Sequence, residues 1–107
     1  MATHHASPGE VVDLETWAED VPHETSKAIV KTDDMELARL VIRAGQVYPN
    51  HNISSSIVVH CVRGEVEITV LGSTQTLETN QLMYLMPNEA HTVKAVVDSV
   101  VLLTIHF

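Results

Sequence analysis

The chain has 107 residues, of which 45 % are hydrophobic and 19 % are charged, and this composition is typical of one globular domain. Its formal charge is −8 and its six Lys and Arg residues are scattered, so the sequence excludes a basic stripe that would bind nucleic acid or an anionic membrane surface. One cysteine excludes an internal disulfide framework, and no apolar run approaches the roughly 20 residues that span a bilayer. Because the first residues lack a secretion signal, we expect a cytoplasmic protein with no membrane partner.

The N-terminal third contains few clear elements. Residues 1 to about 10 are interpreted as a loose leader, since Ser7, Pro8 and Gly9 form a cluster of helix and strand breakers. Residues 11 to 17 are compatible with a short strand or with one helical turn. Residues 26 to 31 have the β-branched content of a strand.

Two structures are compatible with the segment from Thr32 to Gly45. Thr32 suits a helix N-cap, Asp33 and Asp34 suit a first helical turn, and Gly45 suits a helix end, so the local signals favour a helix. The alternative is a turn at residues 32–34 followed by a strand over residues 35–43. We choose the strand because the pattern further along the chain indicates a barrel.

From residue 56 onward the chain is a series of short β-rich runs separated by turn residues. Residues 65–70 alternate polar and apolar side chains, which is typical of a strand with one wet face. Short strands with regular turn signals predict an all-β sandwich or barrel in a single domain, 1–107. The predicted strands are 56–62, 65–70, 75–78, 82–86, 91–97 and 99–106.

The spacing of a few residues resembles the first motif of the small single-domain cupins, Gly-x5-His-x-His-x3,4-Glu-x6-Gly. Gly45 and His51 match its first glycine and first histidine, and Gly64 matches its closing glycine without insertion or deletion. Ile53 stands at the position of the second histidine. Ile57 stands at the position of the glutamate.

The second cupin motif, Gly-x5-Pro-x-Gly-x2-His-x3-Asn, is matched in spacing and less in identity. Asn80 replaces its first glycine. Asn is second only to Gly in its tolerance of left-handed backbone in a turn. Met86 and Asn88 occupy the proline and second glycine positions. His91 matches the histidine, and Ala95 replaces the final asparagine. The resemblance covers residues 35–106 as the barrel core and implies a double-stranded β-helix, or jelly roll.

The resemblance implies a divalent transition metal, such as Fe, Mn, Ni, Cu or Zn, held by imidazole and carboxylate groups at the barrel mouth. Only His51 and His91 remain of the family's ligand set, and Ile53 and Ile57 would face the barrel beside them. A two-histidine centre would need water or substrate to complete its shell. The alternative is that both histidines only hydrogen-bond backbone groups beside turns.

His60 is the candidate for a third ligand. It lies three residues after Ile57, and an odd offset on a strand places it on the opposite face unless a bulge intervenes. We therefore expect His60 to face away from the cavity. The side on which His106 faces is left open, and His23 is interpreted as a loop residue.

Two kinds of function fit these residues, and the sequence does not decide whether the protein is an enzyme. The first is a small-molecule enzyme with a degenerate metal centre, its reaction unassigned. The second is a metal-free binding or sensor barrel, in which Tyr48 and Tyr84 help His51 and His91 to anchor a mostly apolar ligand. A vestigial structural barrel is a third alternative.

A homodimer is expected from the apolar character of two predicted strands. Residues 57–62 and 82–86 are apolar on both alternating faces, and strands of this kind need a cover on each side. No amphipathic helix is predicted that would provide it. A second copy of the chain is the expected cover.

Overall fold

The computed structural model describes residues 5–12, 14, 27–51 and 54–107, with the backbone alone at 27 and 49–51. Strands in this part of the chain are divided between two sheets, and the all-β prediction is confirmed. No helix among the described residues is long and apolar enough to cross a membrane. The strands are β1 Lys27–Lys31, β2 Met35–Ile42, β3 Val47–His51, β4 Ser56–Arg63, β5 Glu65–Val70, β6 Ser73–Glu78, β7 Gln81–Leu85, β8 His91–Ala95 and β9 Ser99–His106.

The two sheets pack face to face and are antiparallel at every described pairing. The larger sheet has the order β1-β2-β9-β4-β7, and the smaller one has the order β3-β8-β5-β6. The larger sheet begins at Lys27, ahead of residue 35, where the predicted barrel core starts. β9 lies in the middle of the larger sheet, where it pairs with β2 along one side and with β4 along the other.

The segment from Thr32 to Gly45 forms a strand, and the competing helix is wrong. Residues 35–42 of β2 pair without interruption with β9. The residues that resembled helix caps serve tight turns instead: the Thr32 hydroxyl accepts hydrogen bonds from the backbone N–H groups of Asp34 and Met35. Gly45 has a φ of +84° in the turn that leads to β3. The long strand ladder outweighs the local helix signals.

The core lies between the inner faces of the two sheets. Along β4 the buried positions alternate, so that Ile57, Val59 and Cys61 face inward while His60 faces the other side. Both sheets contribute to the interior almost only β-branched and leucine side chains. The buried apolar cluster is Leu40, Ile42, Ile57, Val59, Cys61, Val66, Ile68, Leu77, Leu85, Val93, Ala95, Val101 and Leu103.

Asn80 and Gly64, both singled out in the sequence, also have left-handed backbone in turns. Asn80 has a φ of +70°, as its place at the family's glycine position implied. Gly64 has a φ of +101°, and a Cβ added there would lie 2.8 Å from the carbonyl oxygen of Asp98. Gly64 therefore allows the β4–β5 turn to approach the β8–β9 turn closely.

β7 differs from the buried strand that its apolar sequence predicted. It is an edge strand whose inner residues, Met83 and Leu85, pack on the core. Its outer residues Leu82 and Tyr84 are 62 % and 58 % exposed. An apolar run does not distinguish a strand covered on both faces from one covered on a single face.

The described part of the leader contacts the larger sheet. The backbone N–H of Ala6 donates a hydrogen bond to the carbonyl oxygen of Ile29 at 2.7 Å. Ile29 lies at the bulge of the β1–β2 pairing and is buried. Most of residues 11–17, for which a strand and a helical turn were both considered, lies outside the described residues.

Candidate functional site

A cavity of about 150 Å³ lies between the two sheets. One wall belongs to β2 and β9 of the larger sheet, and the other wall belongs to β3 and β8 of the smaller sheet. Most of the lining is hydrocarbon, with three side chains that carry polar groups. The lining residues are Glu36, Ala38, Leu40, Tyr48, His91, Val93, Leu103 and Ile105.

His91 is the first residue of β8 and is buried at the cavity wall. Its ring Nδ1 lies 3.3 Å from the carbonyl oxygen of Glu89. Because a carbonyl only accepts, this contact requires Nδ1–H as the donor, and in the neutral ring it leaves Nε2 as an acceptor. His91 therefore both hydrogen-bonds a backbone group beside its turn and lines a cavity, although the sequence presented these as alternatives.

His51 ends β3, and its backbone lies directly opposite that of His91 in the β3–β8 pairing. The pairing is irregular between Tyr48 and His51, so one or more residues of β3 bulge there. The structure brings the backbones of the two predicted metal-ligand residues side by side, although 39 residues lie between them in the sequence. The neighbouring family position, Ile53, lies outside the described residues.

Glu36 is a cavity residue that was not predicted from the sequence, in which it closely follows Asp33 and Asp34. It lies opposite Ile105 in the β2–β9 pairing and shares the inner face of β2 with Ala38 and Leu40. Its carboxylate Oε1 is 3.8 Å from Lys31 Nζ, and the two side chains are 23 % and 59 % exposed. That Glu36 faces the cavity follows only once β2 is known to be a strand.

Solved structures share this architecture. A protein of unknown function from Streptococcus pyogenes has a TM-score of 0.80 at 20 % identity, over 96 % of this chain and 91 % of that chain. A cupin superfamily protein from Desulfitobacterium hafniense has a TM-score of 0.77 at 13 % identity, over 84 % of this chain and 86 % of that one. This chain has the cupin fold. A cupin-2 domain protein from Shewanella frigidimarina adds a TM-score of 0.75 at 12 % identity, over 91 % and 95 %.

The comparisons establish the fold of this cupin barrel and leave its activity open. No protein-family model and no curated protein matches the sequence. At identities of 20 % or less, the structural likeness concerns the backbone rather than the site. The chemistry of the site must therefore be argued from the residues of this chain.

The described side chains do not form the cupin centre of three histidines and one glutamate. Ile57, at the glutamate position, is 2 % exposed and packs in the apolar core, in register with Ile105 and Leu85. Among the described side chains, no three His, Cys, Asp or Glu residues lie close enough to hold a metal ion. Hydrocarbon occupies the position where the family places its anionic ligand.

Two other predicted site residues, His60 and Tyr84, lie apart from the cavity, and so does His106, whose side was left open. His60 is on the outer face of the larger sheet, as its odd offset from Ile57 predicted, so it does not join His91 as a third ligand. Tyr84 also lies on the outer face, which corrects its prediction as a pocket residue: its strand neighbours Met83 and Leu85 take the inward positions. His106 is exposed at the end of β9.

Cys61 is a buried thiol on the inner face of β4. Burial raises its pKa above the ordinary value of 9.0, because a thiolate there would lose its hydration. A nucleophilic role requires the thiolate. The residue is therefore part of the core.

A second depression of about 270 Å³ meets the cavity wall at His91. It lies beside the β5–β6 turn and the start of β8, with Thr69, Leu71 and Thr92 among its lining residues. Its other lining residues are small and uncharged. His91 therefore lines both the cavity and this depression.

Proposed function

We propose that this cupin barrel binds a small, mostly apolar molecule in the cavity between its sheets, and that it does so without the four-ligand metal centre that the cupin motifs imply. The observation that supports the proposal is the combination of an apolar cavity and a few polar groups on its wall. Ile57 in the core supports the absence of the four-ligand centre.

The volume of the cavity limits the size of the molecule. Drug-sized ligands occupy pockets of roughly 300–1,000 Å³, whereas the cavity here is about 150 Å³. An engineered apolar cavity of about 150 Å³ binds benzene. The ligand we propose is therefore about the size of a six-membered ring.

The polar groups would fix the orientation of this molecule. Tyr48 and His91 come from adjacent strands of the smaller sheet, and Glu36 faces them from the larger sheet. Leu40, Val93 and Leu103 provide apolar contacts. Burial of a ring in such a site contributes roughly 25 cal/mol per Å² of apolar surface removed from water.

A cavity-filling variant tests the proposal. Ala38→Phe places a ring in the cavity, and Ala44→Leu adds volume at an exposed turn residue and serves as the matched control. Cyclohexanol is titrated into each protein, and backbone amide shifts and thermal stability are followed. Wild type and Ala44→Leu should show shifts around Leu40, Val93 and Leu103 and gain about 1.4 kcal/mol at ten times Kd. An equal response of Ala38→Phe would contradict the proposal.

A second candidate is a weak divalent-metal site that includes His51 and His91, and the register of β3 with β8 favours it. Two imidazoles alone would leave the remaining coordination positions to water or substrate. Metal analysis of tag-free protein, with His91→Ala and the exposed His106→Ala as the matched pair, decides between the candidates. A near-stoichiometric ion lost only in His91→Ala would favour the metal centre over the metal-free barrel.

We also propose that a second copy of the chain covers the outer face of β4 and β7. The outward residues there are Val58, His60, Val62, Leu82 and Tyr84, and none carries a carboxylate, ammonium or guanidinium group. Each copy carries a charge of −8, so an uncharged face is the surface on which two copies meet with least repulsion. Such apolar patches mark association surfaces.

The mass in solution tests this dimer. Tyr84→Lys introduces a charge into the patch, and Leu71→Lys introduces the same charge at an exposed leucine of the β5–β6 turn. At micromolar concentration, light scattering should give a dimer for wild type and Leu71→Lys and a monomer for Tyr84→Lys. A monomeric wild type would overturn the proposal.

A further inference from the structure

We infer that the molecule bound in the cavity carries a protonated amine, and that Glu36 is the residue that selects for it. This inference rests on the proposed function, because it names the chemical class of the ligand for the same cavity. Glu36 is the one charged residue among the described residues that line the cavity.

The carboxylate of Glu36 has a weak partner on the protein side. Lys31 Nζ lies 3.8 Å away, beyond ordinary hydrogen-bond length, and the Lys31 side chain is mostly exposed. Surface ion pairs of this kind contribute little, with a median of roughly 0–1 kcal/mol. A ligand cation that approached the carboxylate from within the cavity would therefore displace an ion pair that contributes little to stability.

His91 contributes a second acceptor. Its Nδ1–H is directed at the carbonyl oxygen of Glu89, so the neutral ring offers Nε2 as a lone pair. Glu36 and His91 line opposite walls of the cavity, and each side chain carries an acceptor. An ammonium group has three donors and no acceptor, and it matches such a pair. A carboxylate ligand would instead meet the Glu36 charge and a chain whose formal charge is −8.

The rest of the cavity determines the body of the ligand. Ala38, Leu40, Val93 and Leu103 offer only hydrocarbon to a bound molecule. With a volume of about 150 Å³, the cavity accepts a compact ring or a short branched chain. The ligand class is a small primary amine with an apolar body of about six carbons.

Three probes of one shape test the inference: cyclohexylamine, cyclohexanol and cyclohexanecarboxylate. Each is titrated at neutral pH and low salt into wild type, Glu36→Gln and Glu78→Gln, and Kd is taken from amide shifts of cavity residues. Glu78→Gln removes the same charge from an exposed position on β6 and is the matched control. The amide spectrum of each variant establishes that it is folded.

In wild type and Glu78→Gln, cyclohexylamine should bind about tenfold more tightly than cyclohexanol, as one charge-assisted hydrogen bond implies. Glu36→Gln should remove this preference and leave the cyclohexanol Kd within about twofold of wild type. Equal binding of amine and alcohol in wild type, or an amine preference that survives in Glu36→Gln, would overturn the inference and leave the proposed function standing. If none of the three probes shifts the cavity residues of wild type, both fail.

Discussion

Replacement of Ile57 by glutamate tests whether the core position has lost its metal-centre role. Ile57 is 2 % exposed and lies between Ile105 and Leu85 in the larger sheet. The loss of its burial removes roughly 1.5–3 kcal/mol, and a neutral carboxyl group buried without a partner costs about 1–3 kcal/mol more. Ile57→Glu should therefore lower the free energy of unfolding by about 2.5–6 kcal/mol, a large share of the stability of a small domain.

Urea unfolding followed by far-UV circular dichroism measures this change. Ile57→Met is the volume-matched control, and its unfolding free energy should fall by less than about 1.5 kcal/mol. An apolar site raises the pKa of a carboxyl group, so the loss should be smallest below pH about 4.3 and grow as the pH rises. Addition of zinc or manganese should not restore the unfolding midpoint. Wild-type stability of Ile57→Glu, or rescue by one equivalent of metal, would refute the reasoning, because either result requires a hydrated, ligand-rich position.

Three further predictions concern backbone strain and the thiol. Gly64→Ala should lower the free energy of unfolding in urea by about 2–4 kcal/mol, because its Cβ would meet the carbonyl oxygen of Asp98. Gly72→Ala has open space around its Cβ and should lower it by about 1 kcal/mol. Asn80→Gly should keep wild-type stability and Asn80→Ala should lose about 1 kcal/mol; equal values would argue against the left-handed turn. Cys61 should resist iodoacetamide until the protein unfolds. Because its pKa is raised, its contribution to stability is complete below pH 9.0 and lost at higher pH, and Cys61→Ala should show less of this alkaline loss.

The strand pattern after residue 56 was predictable because alternation and turn residues agree with each other there. The segment around β2 was not predictable locally, because Thr32 and Gly45 serve a helix end and a tight turn equally well. The decisive interaction is the pairing of β2 with β9, whose partner residues lie 57 to 71 positions further along the sequence. Only the downstream motif spacing provided that information.

The site was predicted in part, for a related reason. The spacing indicated that His51 and His91 are neighbours, and their backbones are paired. Glu36 was missed and Tyr84 was placed on the wrong face, because each assignment depends on which side of a strand faces the interior. Apolar composition does not carry that information when both faces of a strand contain hydrophobic residues.

The central place of β9 has a consequence for how the protein is made. The eight other described strands precede β9 in the sequence, yet β2 and β4 are held together through it. Until the residues of β9 have left the ribosome, the β1–β2 pair and the β4–β7 pair have unpaired edges and no common partner. Assembly of this barrel is therefore delayed until its last strand is available, and a nascent chain stalled before Ser99 would depend on chaperones to stay free of aggregation.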